Sequence, residues 1–153
     1  MGLNIGLPTS TFLPSLGGVE VGLHNIAIRL LKKGHNPIII APYSQARILK
    51  EKWNLPYKVI SFPPKVFTII NRWPNIGFFI LDIFFLWFKK RNKIDVWHVT
   101  VGYPTGVAFA HFSQRSNKEP YLIRCAGEDI QLMPEINYGF RLNKKIDLSL
   151  IHI

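Results

Sequence analysis

An alternation constrains this chain more than any other feature. Short, nearly continuous apolar runs are separated by segments whose apolar residues recur at helical spacing. Leu3–Leu7, Pro37–Ala41, Tyr57–Ser61, Asp95–Val99 and Tyr121–Cys125 are the runs. They read as strands buried on both faces, the pattern of a parallel sheet covered by helices on each side. A sixth strand is expected over Asp147–Ile153. Between the first two runs, Leu23, Ile26, Ala27, Leu30 and Leu31 share one face of a helix beginning at Val19. Lys32 and Lys33 fall in its last turn, where cations oppose the helix dipole, and Gly34 stops it. Further helices are expected over 46–53, over 66–91 with a break near Pro74, and over 103–114 with Pro104 near the start. The expected fold is α/β: a Rossmann-like parallel sheet with helices on both faces.

The 153 residues suffice for one domain with its own hydrophobic core. An apolar fraction of 48% argues against disorder. The single cysteine, Cys125, rules out a disulfide within the chain, and no Cys/His metal spacing occurs. Both facts suit a reducing cytoplasm. The opening MGLNIGLP has neither a signal peptide's basic and apolar regions nor the myristoylation pattern, because Gly6 stands where Ser or Thr is required.

Nineteen Lys+Arg against nine Asp+Glu give a net charge of +10. Such a surface attracts nucleic acid, phosphorylated ligands or an anionic membrane leaflet. The clusters Lys32-Lys33, Lys89-Lys90-Arg91-Lys93 and Lys144-Lys145 equally suit a solvated basic face. The apolar segment Ile76–Phe88 has thirteen residues and contains Asp82. A spanning helix needs about 20 apolar residues, so a buried or interface-lying helix is expected. Residues 84–93 interleave aromatic and basic side chains, which leaves a core helix, a membrane surface and, least favoured, nucleic acid open.

The motif richest in chemistry is Pro14-Ser-Leu-Gly-Gly-Val-Glu20. Glycines at a strand-to-helix corner let the backbone approach a ligand closely, and the free amides of a helix start favour a phosphate. The glycine spacing fits neither the dinucleotide fingerprint nor a phosphate-binding loop ending in Gly-Lys-Ser/Thr. A tight turn with no ligand is the bland alternative.

The stretch continues with Ile26-Ala27-x-x-Leu30 and Gly34-His35. It resembles the opening of family 4 retaining glycosyltransferases: a first strand, a Pro-containing loop, Gly-Gly-x-Glu, and a helix closing on Gly-His. Asp95-Val-Trp-His-Val99 resembles the family's Asp-Val-Val-His-Val strand, and Pro120–Ile130 its strand followed by His-Gly-x-Asp. The three landmarks keep the family's order over most of residues 3–153. The resemblance implies a two-domain (GT-B) enzyme that moves a sugar from a nucleotide diphosphate sugar, its co-substrate, with retention at the anomeric carbon. It implies no metal and no further cofactor, since backbone amides and basic side chains neutralise the leaving diphosphate. Residues 1–153 would be the amino-terminal, acceptor-side domain, with the carboxyl-terminal donor domain absent. By motif match, Gly17 and Gly18 would meet the donor diphosphate. A saccharide or lipid-linked acceptor of the cell envelope is expected, with the chain in the cytoplasm, peripheral on the inner face of the membrane.

Ala126 stands where the family commonly has a histidine near the reacting sugar, and it has no side-chain donor. Catalytic residues are therefore unknown, with Glu128 and Asp129 as candidates. Acceptor-binding candidates are His98, Arg124, Gly127, Glu128 and Asp129; Arg124 is placed to pair with the two acids. For Glu128 and Asp129 a loop or helix-cap role stays open, and for His98 a core role. Glu20 suits the helix dipole as well as a ligand. His35 reads as a turn residue, while His24, His111 and His152 show no partner pattern. Two other functions remain open. One is a non-catalytic acceptor-binding or membrane-docking subunit that partners a separate donor-domain protein. The other is a Rossmann-like module for a different nucleotide.

Overall fold

The computed structural model describes residues 2–116, 119–139 and 142–143. Five parallel strands form one sheet: β1 (Asn4–Pro8), β2 (Asn36–Ala41), β3 (Lys58–Ser61), β4 (Val96–Thr100) and β5 (Tyr121–Arg124). Their spatial order is β3-β2-β1-β4-β5. Helices α1 (Gly18–Lys32), α2 (Tyr43–Lys52), α3 (Val66–Arg72), α4 (Pro74–Asn92) and α5 (Val107–Arg115) connect them, and a short α6 (Gly127–Ile130) follows β5. The expected α/β architecture is what forms.

Alternation along the strands builds two cores. Ile39 and Ala41 of β2 point to one face with Ile5 and Leu7, against Leu23 and Ala27 of α1 and Ala46 and Leu49 of α2. Ile38 and Ile40 point to the other, with Trp97 and Val99, against Leu81, Phe85 and Phe88 of α4 and Phe109 and Phe112 of α5. Phe85 packs edge-on against both Trp97 and Phe109. In central β1, Gly6 makes room for the fully buried Trp97: a Cβ at Gly6 would lie 2.4 Å from the indole Cε3.

Two local expectations are corrected and one is met. The helix expected over 46–53 starts at Tyr43, directly after Pro42. The break expected near Pro74 is present: the 66–91 segment forms two helices parted at Trp73, because Pro74 supplies no N–H to continue α3. The helix expected from Tyr103 begins instead as a π-type turn, Gly102–Gly106, in which Tyr103 is extended; regular helix starts at Val107. The sixth strand expected over Asp147–Ile153 lies outside the described residues, as do Lys144, Lys145 and His152.

Candidate functional site

The sheet order fixes where a ligand fits. The connections leaving β1 run towards β2 and β3, whereas β4 and β5 lie on its other side. The carboxyl ends of β1 and β4 therefore open a crevice, the usual ligand position in such sheets. A cavity of about 540 Å³ occupies it. Ser10 and Thr11 line it from the loop after β1, Gly17 to Glu20 from the start of α1, Val101 from the end of β4, and Ala126 and Gly127 from the end of β5. A second hollow of about 400 Å³ shares Gly18, Val19, Ala126 and Gly127 with it and adds Thr100, Arg124 and Cys125.

Gly17 is the N-cap of α1, in extended conformation, and no side chain caps the helix. The first intrahelical bond runs from the Val21 N–H to the Gly17 carbonyl, so the preceding amides have no helical partner. This uncapped, positively polarised end of a fifteen-residue helix faces the cavity. A Cβ at Gly17 would lie 2.6 Å from Oε2 of Glu20, so a side chain there would displace that carboxylate. Glu20 is buried and accepts a short hydrogen bond from the Thr11 hydroxyl. Its carboxylate thus fastens the loop after β1 to the first turn of α1. Around Gly18 there is open space.

Across the cavity, Asp129 is 3% exposed. Its Oδ2 accepts from the Gly102 N–H at 2.7 Å and the Ala126 N–H at 2.8 Å, and its Oδ1 from the Tyr103 N–H at 3.1 Å. The turns after β4 and β5 are clasped by this one carboxylate. Val101, beside it, holds φ at +75°, a conformation that a β-branched residue adopts only under constraint. The sequence places Arg124 to pair with Glu128 and Asp129; among the described residues no ion pair joins it to Asp129, whose oxygens face backbone amides. Its guanidinium lies instead over α1, where a Cβ on Gly22 would come within 3.2 Å of it.

His98 is half-buried, and its Nε2 has no hydrogen-bond partner. Burial first, and the Arg124 charge second, hold its pKa below the ordinary value. The ring is thereby kept neutral at physiological pH. Gly127 lines the cavity, and the side chain of Glu128 lies outside the described part of the chain. Ala126 presents only a methyl group. His35 accepts from the Leu3 N–H at 3.2 Å, next to Gly34 with φ at +79°, which suits a turn role. His24 meets the Tyr57 hydroxyl and His111 meets Asp82, partners that no sequence spacing indicated.

Sequence reasoning passed over Thr11, Val101 and Tyr138 as cavity residues. For Val101 a signal existed: Gly102-Tyr-Pro104 directly after a strand marks a turn at the ligand-binding end.

Among solved structures, a glycosyltransferase from Rickettsia africae ESF-5 is similar over 80% of this chain, with a TM-score of 0.52 and 20% identity. The chain spans 29% of that protein's length, and the likeness supports the fold alone. The structure of MT0777 aligns over 97% of both chains at 12% identity, but its TM-score of 0.38 carries no argument. No protein of curated function matches. The sequence profile of Glycosyltransferase Family 4 matches residues 16–122, from the Gly-Gly loop into β5. A match over more than half of its length shows that the chain belongs to glycosyltransferase family 4.

Proposed function

We propose that this domain is the acceptor side of an enzyme transferring a sugar from a nucleotide diphosphate sugar to a cell-envelope saccharide or lipid-linked acceptor. One observation carries the proposal: the uncapped start of α1, with Gly17 and Gly18, opens into the cavity at the carboxyl ends of β1 and β4. Backbone amides fixed there stabilise the charge that grows on a leaving diphosphate, and they need no reorganisation as it forms. Arg124 adds a positive charge to the adjoining hollow. Most of the donor site belongs to a second domain, so transfer requires that domain in the same protein or in a partner.

The test uses the full product of the native locus, incubated with radiolabelled nucleotide diphosphate sugars and envelope lipid extract. Label should enter the lipid or polymer fraction. Gly18→Asp should abolish transfer without unfolding the protein, because a Cβ there meets no atom within 4 Å and an acid suits a helix start. Tight binding of NAD with none of any nucleoside diphosphate would refute the proposal in favour of another nucleotide module.

A second reading is favoured by Ala126, which offers no side-chain donor where the resemblance calls for a histidine. In it the chain binds acceptor for a separate donor-domain protein. Recovery of such a protein with the tagged chain from native membranes would support it.

A further inference from the structure

Helix α4 carries two apolar faces. Leu81, Phe85 and Phe88 are buried against the sheet and α5, and Gly77 against Ile70 of α3. On the opposite side, Ile76, Phe79, Ile83, Leu86 and Trp87 are each between 45% and 55% exposed. Their spacing of i, i+3, i+7, i+10 and i+11 forms one stripe, about 16 Å long at 1.5 Å per residue. An Arg–Trp pair stands at each end. The Arg72 guanidinium lies 5.9 Å from the Trp73 ring, and that of Arg91 lies 5.6 Å from Trp87. Lys90 is exposed beside the second pair, and Arg115 of α5 lines an apolar groove with Phe79, Ile83 and Leu86. The acid within this surface, Asp82, is turned towards His111 and Arg115 at 3.1 and 3.6 Å.

We propose that this face docks on an anionic lipid bilayer. The stripe would lie among the upper acyl chains, the tryptophans at the boundary, and Arg72, Lys90, Arg91 and Arg115 at the phosphates. Apolar centre, aromatic margin and cationic rim are arranged in the order that a bilayer surface presents in reverse. No described helix is long and apolar enough to cross a membrane, which fits a helix lying in the interface. Because α4 packs on a face of the sheet while the cavity opens at its carboxyl edge, docking leaves the cavity accessible. The proposal stands apart from the transfer reaction and is tested without it.

The experiment is flotation of the full chain with vesicles of phosphatidylcholine, alone or with one third phosphatidylglycerol. Binding should be at least about tenfold tighter to the anionic vesicles, since each cation near such a surface contributes about fivefold. Ile83→Glu with Leu86→Glu should weaken it at least tenfold, and Lys90→Glu with Arg91→Glu should remove the preference for anionic lipid. Ile48→Glu, an exposed site on α2, should change nothing. If the double glutamate variant fails to fold, brominated acyl chains should still quench the parent chain, and Trp87→Phe less. Four results would overturn the proposal: no flotation, equal binding to both vesicles, loss of binding in Ile48→Glu, or a dimer that Ile83→Glu dissolves. The last would make the face a contact between copies.

Discussion

Asp129 should matter more to the integrity of this domain than to its chemistry. Its two oxygens take three backbone N–H groups, from Gly102, Tyr103 and Ala126. Hydrogen bonds to a charged partner contribute about 1.5–3 kcal/mol each, and an abandoned buried donor costs a similar amount. In Asp129→Asn the remaining carbonyl can still accept from Gly102 and Ala126, while the amide nitrogen meets the Tyr103 N–H, donor against donor. One bond and the charge assistance are lost, for a cost of about 2–3 kcal/mol. Asp129→Ala abandons all three donors and should cost about 4–5 kcal/mol, less than the sum because the turns relax together. In a chain of this size each kcal/mol lowers the melting midpoint by about 2–4 °C. The midpoint should therefore fall by about 4–12 °C in the Asn variant and further in the Ala variant, followed by circular dichroism. Hydrogen exchange should quicken at least about tenfold at Tyr103 in both variants, and at Gly102 and Ala126 as well in the Ala variant. Unchanged exchange at those amides, or an Ala variant no less stable than the Asn variant, would refute the clasp.

Three further outcomes follow from single contacts. Gly6→Ala should destabilise by about 1–3 kcal/mol, because its Cβ would lie 2.4 Å from Cε3 of a ring that cannot move outward; Trp97→Phe in the same chain should recover part of that loss in a thermal melt. Gly17→Ala should cost about 1 kcal/mol by displacing Glu20 from Thr11, and should cost nothing further in a Glu20→Ala background, a double-mutant cycle that denaturant titration can read. His98 has a folded-state pKa below its ordinary 6.5, so the unfolded chain takes up a proton that the folded chain resists. Its contribution to stability is whole above that value and falls as the pH drops from 6.5 towards the folded pKa. A resonance of the ring that titrates at or above 6.5 by NMR would contradict this.

The strands and the large helices were legible in the sequence because their signals are local and repeated. Ile38, Ile39 and Ile40 alternate between two cores, so the run reads as continuously apolar, while Leu23 and Ala27 mark one helical face. What stayed hidden rests on contacts distant along the chain. Asp129 bonds to Gly102, 27 residues away, and nothing near it in sequence distinguishes an acid facing a cleft from one facing backbone amides. His24 and Tyr57 are 33 residues apart, and each looks unpartnered until α1 packs beside the segment leading into β3. At Val101 the local signal points the wrong way, since a β-branched residue disfavours positive φ. The bonds from its N–H to the Arg124 carbonyl and from the Gly106 N–H to its own carbonyl, with the clasp at Gly102, hold that conformation. Helix α6, four residues long, is too short to show any period.

The site follows from topology more than from any one motif. Ser10 and Gly17, Val101, and Ala126 lie far apart in sequence, yet each follows a strand of the same parallel sheet. Parallel strands send all such segments out at one edge, and the sheet grows to one side of β1 through β2 and β3 and to the other through β4 and β5, so the connections part there and leave a crevice. The Gly-Gly pair leaves amides rather than side chains at the crevice wall, an arrangement that in general suits an anion. A side chain at Gly17 would displace Glu20, and Glu20 is what holds the Thr11 loop against α1. The first glycine of Gly-Gly-x-Glu thus has a packing role beside Glu20, while Gly18 meets open space. The sequence pattern and the topology therefore point to the same candidate crevice, even though Ala126 has no side chain with which to act there.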